Sequence, residues 1–191
     1  DTGLPMLLCS LLVGRGIYTA EQAQQYFNGT ELSDPLLIAD MDKAVQAIEA
    51  AVDNEIKITV YGDYDCDGVT STVMLFTHLD AIGADVNWYI PTREEGYGLN
   101  ENAIRKLHED GTGLIITVDN GVSAVNEAEL IYELGMKLVV TDHHQLPEIL
   151  PKAEAIVNPH RRDDNSPYKE LAGCGVALKL IMALERDVEG V

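Results

Sequence analysis

The chain has 191 residues, 46% of them hydrophobic, and sets 32 Asp and Glu against 13 Lys and Arg for a net charge of −19. That length and apolar share suit one domain with a sizeable core, or one with a small appendage, and the charge excludes gripping nucleic acid by bulk electrostatics. No apolar run reaches the ~20 residues needed to span a bilayer, and Cys9, Cys66 and Cys174 have neither CxxC nor zinc spacing, so the expectation is a soluble, cytoplasmic protein without a membrane partner.

In chain order, LPMLLCSLLVG (4–14) is too short to cross a membrane and reads as a buried helix or a truncation edge. Residues 20–28 and 41–53 read as helices, the second through the apolar stripe of AVQAIEAAV (44–52). These form an N-terminal helical segment, 1–55, expected to pack on a core spanning 56–191. The core alternates short apolar runs with helical patterns: KITVY, VTSTVMLFTHLDAIG, DVNWYIP, LNENAIRKLHED, GLIITVD, SAVNEAELIYELG, KLVVTD, AEAIVNP and GCGVALKLIMALERD. Five strands joined by helices imply right-handed crossovers and therefore a doubly wound α/β fold, a mainly parallel five-stranded sheet with helices on both faces.

The first strand runs into YGDYDCDG (61–68), where Asp63, Asp65 and Asp67 crowd three charges that repel unless a cation compensates. The spacing fits the start of an EF-hand loop, but the twelfth position is Met74 in place of a bidentate Glu, and a strand precedes the loop where a helix is needed. Ligands of open α/β sheets gather at the carboxyl ends of the strands. The third strand ends at Asp119, the fourth at Asp142, His143 and His144, and the fifth at His160, Arg161 and Arg162, while Arg93 lies in the glycine-bearing loop REEGYG (93–98) after the second. Carboxylates and imidazoles with arginines nearby describe a metal-dependent site for phosphate esters. A single Asp after a strand often only caps a helix, and Arg161-Arg162 also reads as a plain charged loop; a third carboxylate at 61–68 has no such structural use. His78 and His108 fall inside helical patterns and read as structural or surface residues.

YGDYDCDG (61–68), REEGYGLN (93–100), VDNG (118–121), TDHH (141–144), NPHRR (158–162) and LAGCGVALKL (171–180) together resemble the DHH phosphoesterase superfamily, and its RecJ branch in particular. The resemblance implies a 5′-to-3′ exonuclease specific for single-stranded DNA, acting in DNA repair and recombination by two-metal hydrolysis with Mn²⁺ or Mg²⁺. It makes Asp63, Asp65, Asp67, Asp119 and His143 metal ligands, with Asp119 bridging, and turns His144 toward the scissile phosphate. Asp142 then orients its neighbours, since a ligating histidine usually needs such a partner. Other branches begin the first motif with a histidine where this chain has Tyr61. The superfamily's fourth acidic motif and carboxyl-terminal domains would lie beyond Val191, so the chain reads as a catalytic-core fragment, expected to be weak or inactive alone. The residues leave alternatives. These are a small-nucleotide or oligonucleotide phosphodiesterase of the same superfamily, a haloacid-dehalogenase-type phosphatase built on Asp65-Cys66-Asp67-Gly68-Val69, and an inactive binding scaffold. Protein partners are not legible.

Overall fold

Five short strands, the first four alternating with helices and the fifth reached from the fourth by a loop, make up the sheet in a computed structural model that describes residues 3–29 and 32–186. The chain divides into two compact units, Asp1–Ser33 and Asp34–Val191. The first holds α1 (Met6–Val13) and α2 (Ala20–Asn28), the latter started by a reciprocal capping pair in which Thr19 and Gln22 each accept the other's backbone N–H. The apolar run 4–14 does not form a buried helix, because Met6, Leu7, Leu11 and Val13 on α1 are exposed.

The second unit holds a 3-10 turn at Pro35–Leu37 and then α3 (Met41–Asp53), β1 (Ile58–Tyr61), α4 (Cys66–Ala81), β2 (Val86–Tyr89), α5 (Glu101–Glu109), β3 (Leu114–Val118), α6 (Val125–Glu133), β4 (Lys137–Thr141), β5 (Ala155–Val157) and α7 (Gly173–Glu185). Residues 187–191, where the last helical pattern and the expected core end, lie outside the described residues. Every strand pairs in parallel, in the order β2-β1-β3-β4-β5.

Alternate side chains of the strands enter two cores, which is why the runs read as continuously apolar. Ile58, Val60, Leu114, Ile116, Val118, Val139, Ala155 and Val157 face α3, α4 and α7; Tyr61, Ile115, Leu138, Val140 and Ile156 face α5 and α6. Helices therefore cover both faces, as the doubly wound reading requires. From β1 the chain steps to β2 on one side and returns to β3 on the other. That reversal opens a crevice above the carboxyl ends of β1 and β3, where such sheets bind ligands.

Helix α4 starts at Cys66, three residues before the apolar pattern at Val69, because Asp65 caps it: its Oδ1 accepts the Gly68 N–H at 2.9 Å. Its buried face, Gly68, Ser71, Thr72, Leu75 and Leu79, is polar near the start, and Ser71 and Thr72 donate back to the carbonyls of Asp67 and Gly68 at 2.7 Å. The acidic loop is thus held between a buried strand and a buried helical turn.

Candidate metal centre

The crevice receives Asp63 and Asp65 from the end of β1, Asp119 from the end of β3, and His143 and His144 from the end of β4. Ligand atoms of Asp63, Asp65 and Asp119 lie within 4.8 Å of one another, and so do those of Asp119, His143 and His144. Two triads therefore share one carboxylate. Asp119 and Asp63 are each only 2% exposed, and among the described residues neither Asp119 Oδ1 nor Asp63 Oδ1 has a hydrogen-bond partner. His143 Nε2 is 3.0 Å from Asp119 Oδ1 without the alignment of a hydrogen bond.

A buried acceptor left unpaired costs ~1–3 kcal/mol, and more when charged. Burial, reinforced by the charges of Asp67 and Asp65, pushes the Asp119 carboxyl up to about 7. Burial also raises Asp63, with the charge of Asp65 adding to it. Divalent cations with oxygen and imidazole ligands relieve both penalties, so these orphaned oxygens fit the expected Mn²⁺ or Mg²⁺.

Asp67 is placed differently from its two partners in the run. Its Oδ2 accepts the Gly173 N–H and its Oδ1 the Cys174 N–H, both at 2.7 Å, so the carboxylate closes the first turn of α7. Burial works to raise its carboxyl, but the amides of Cys174 and Gly173 and the neighbouring His143 outweigh it and hold the group below the ordinary range. Asp67 belongs to neither triad, although Oδ2 lies 3.7 Å from His143 Nε2. Each carboxylate oxygen keeps a second lone pair, so capping α7 and binding metal remain compatible.

Asp142 is buried behind the histidines. Its Oδ1 accepts the backbone N–H groups of His143 at 2.7 Å and His144 at 3.1 Å and the His144 Nδ1 at 2.7 Å, while Oδ2 accepts Val122 N–H at 2.9 Å. Against burial, these donors keep its carboxyl low. The same carboxylate raises the pKa of His144, against the opposing effect of that ring's own burial.

The expected phosphate-binding groups fare unevenly. Arg161 commits four of its five N–H groups, through Nη1 to Asp40 and to the Ile156 carbonyl and through Nε and Nη2 to Asp163. It braces the start of α3 against β5. Arg162 is exposed and His160 half-buried, its backbone N–H bonded to Asn158 Oδ1. Arg93 stacks its guanidinium 5.2 Å above the ring of Tyr64, inside the acidic loop.

Three residues at the centre had no role in the sequence reading. Tyr97 donates from Oη to the Asp119 carbonyl at 3.1 Å and lies 3.2 Å from His144 Nδ1. Asn120 donates to the carbonyls of Tyr61 and Val118 at 3.2 and 2.9 Å, tying β1 to β3 beneath the crevice. Gly173 lets α7 start directly against Asp119. All three fall within motifs that carried the family resemblance, and that was the available signal.

Known proteins share this arrangement of fold and motifs. The chain is 46% identical over 181 residues to the single-stranded-DNA-specific exonuclease RecJ of Bacillus subtilis, covering 93% of this chain and 23% of that protein. A crystal structure of exonuclease RecJ bound to manganese superposes with a TM-score of 0.76 at 34% identity, covering 83% of this chain and 40% of that one. RecJ from Thermus thermophilus in complex with Mn²⁺ gives a TM-score of 0.71 at 29% identity over 93% of this chain and 24% of that one; its Mg²⁺ complex gives 0.53. The chain thus spans about a quarter of the curated relative's length. The family model described as the DHH family, N-terminal domain, matches residues 57–190, from the start of β1 through α7, and on that match the chain belongs to the DHH family.

Proposed function

We propose that the whole protein is a metal-dependent phosphodiesterase, a 5′-to-3′ exonuclease of single-stranded DNA that works in the cytoplasm with two Mn²⁺ or Mg²⁺ ions. One observation carries the reading: two triads of ligand atoms share Asp119, and both buried carboxylates of the crevice have an unpartnered oxygen. The relatives' names support the substrate and the manganese-bound structure supports the metal. Among the described residues no helix is long and apolar enough to cross a membrane.

Asp63, Asp65 and Asp119 would hold one ion, and Asp119 with His143 the other, with Asp67 at the edge. Bound there, such ions supply an acidified water and neutralise charge on the phosphoryl oxygens. The chain's own residues do the rest. Asp142 accepts the Nδ1–H of His144 and keeps that ring protonated to higher pH than usual, so His144 can donate to a substrate phosphate. The haloacid-dehalogenase alternative needs Asp65 as nucleophile, and that chemistry leaves His143 and His144 without use.

Digestion of 5′- and 3′-labelled single strands by the whole protein with Mn²⁺ tests the reading. Release of nucleotides from the 5′ end, abolished by chelation, is expected; metal-independent cleavage, or attack from the 3′ end, would overturn it. The two histidines are expected to separate. His143→Ala should reduce both the Mn²⁺-induced rise in melting temperature and turnover. His144→Ala should leave the melting shift largely intact while turnover falls ~10²- to 10³-fold, the usual loss for one transition-state donor. Identical metal responses in the two variants would contradict this division.

A further inference from the structure

Asp119 combines two costs. Its carboxylate is buried with an orphaned oxygen, and its backbone sits in the left-handed region at φ 62°. A non-glycine residue persists there only when its surroundings over-determine it, although Asp and Asn tolerate the region better than most. Its N–H is held by the Thr141 carbonyl of β4 at 3.1 Å. Its carbonyl accepts the Tyr97 hydroxyl, also at 3.1 Å. The two bonds hold the consecutive peptide groups on either side of the Asp119 Cα, one from the sheet and one from the loop after β2.

That loop is built to present the ring. Gly96 and Gly98 flank Tyr97 with φ of 92° and 80°, values that a side-chain-bearing residue would resist. Glu95 accepts from the Tyr89 hydroxyl and from the Thr92 N–H, and the Gly98 carbonyl accepts the Tyr61 hydroxyl at 3.1 Å. Arg93 over Tyr64 adds a tie to the acidic loop. The Tyr97 ring meets His144 edge to face, with centroids 5.8 Å apart, and its oxygen lies 3.2 Å from the Nδ1 that Asp142 also holds. A chain of contacts thus runs from Asp142 through His144 and Tyr97 to the Asp119 peptide.

We propose that Tyr97 is a positioning residue of the centre, whose hydroxyl clamps the left-handed Asp119 backbone so that one carboxylate can serve both ligand triads while its ring edge seats His144. The proposal rests on the reading that the cluster holds divalent ions, and it concerns how Asp119 is aimed. Without the hydroxyl, the Asp119 peptide can relax toward ordinary backbone angles and turn the carboxylate away from one triad.

Tyr97→Phe is the incisive variant, because it keeps the ring against His144 and removes only the hydroxyl. Mn²⁺ titration of the chain, followed by the electron paramagnetic resonance of free Mn²⁺, should show affinity reduced about fivefold to tenfold, the worth of one well-placed hydrogen bond. The metal-free melting temperature should fall by no more than a few degrees, the cost of about one lost hydrogen bond, and the amide resonance of Asn120, which reports the Asp119 peptide, should move. In the whole protein, nucleolytic turnover of Tyr97→Phe at limiting Mn²⁺ should recover in part at saturating Mn²⁺, which a merely structural lesion would not do. If the parent chain binds Mn²⁺ and Tyr97→Phe binds it equally well with an unmoved Asn120 amide, the clamp is wrong and the metal site stands. If the parent chain fails to bind Mn²⁺, the site and the clamp fall together.

Discussion

Asp119→Asn should melt higher than the parent chain at pH 8 in the absence of metal, and Mn²⁺ should no longer stabilise it. The carboxyl titrates near 7 in the folded chain, raised by burial first and then by the charges of Asp67 and Asp65, against ~3.9 when unfolded. Between those values the folded state keeps a proton that the unfolded state has lost, so metal-free stability falls as pH rises from about 4 to about 7 and is flat above. A gap of roughly three units corresponds to a penalty on the order of 4 kcal/mol. Asn has the same shape, carries no charge and tolerates the left-handed φ of 62° at this position. Its advantage should therefore grow from nothing near pH 4 to a rise of roughly 8 °C or more at pH 8. The same exchange removes the carboxylate shared by both triads, so the Mn²⁺-dependent rise expected for a ligand that binds only the folded state disappears. Melting curves from pH 4 to 8, with and without Mn²⁺, check both halves.

Gly173→Ala should have the other large effect. A Cβ at Gly173 would lie 2.5 Å from Asp119 Oδ1 and 2.7 Å from Asp119 Cβ, closer than real contacts allow. Turning the carboxylate relieves the first clash but leaves the second. Either Asp119 is driven off both triads, or the start of α7 retreats and breaks the bonds from Gly173 N–H and Cys174 N–H to Asp67. Both routes disarm the centre, at a stability cost of ~1–3 kcal/mol typical of overpacking. Mn²⁺ affinity should fall at least ~tenfold, equivalent to about 1.4 kcal/mol. Gly175→Ala is the control, since its Cβ would approach only the Leu171 side chain, at 3.2 Å. It should bind Mn²⁺ as the parent chain does; equal affinity in the Gly173 variant would remove the proposed contact from the account.

The fold was legible because its signals are local. KITVY, GLIITVD and KLVVTD are short, largely apolar and bounded by turns, which is how strands buried on two faces must look. The placement of Asp63, Asp65, Asp119, Asp142, His143 and His144 followed from one further rule, that each lies just past a strand end. What escaped depends on pairings distant in sequence. Nothing local to Arg161 shows that Asp40, 121 residues earlier, will take its guanidinium. Asp67 differs from Asp63 only because the amides of α7, 106 and 107 residues later, converge on it. Tyr97 is one aromatic between two glycines until the loop folds it over Asp119. Composition alone was also a poor guide at α1, where Met6, Leu7, Leu11 and Val13 remain exposed and Leu12 is buried.

Crystals of the chain grown with Mn²⁺ and measured at the manganese absorption edge test the central claim most directly. Two anomalous peaks are expected in the crevice above β1 and β3, both within bonding distance of the Asp119 carboxylate, one also touching Asp63 or Asp65 and the other His143. An empty crevice at saturating Mn²⁺, or ions bound without Asp119, would contradict the account.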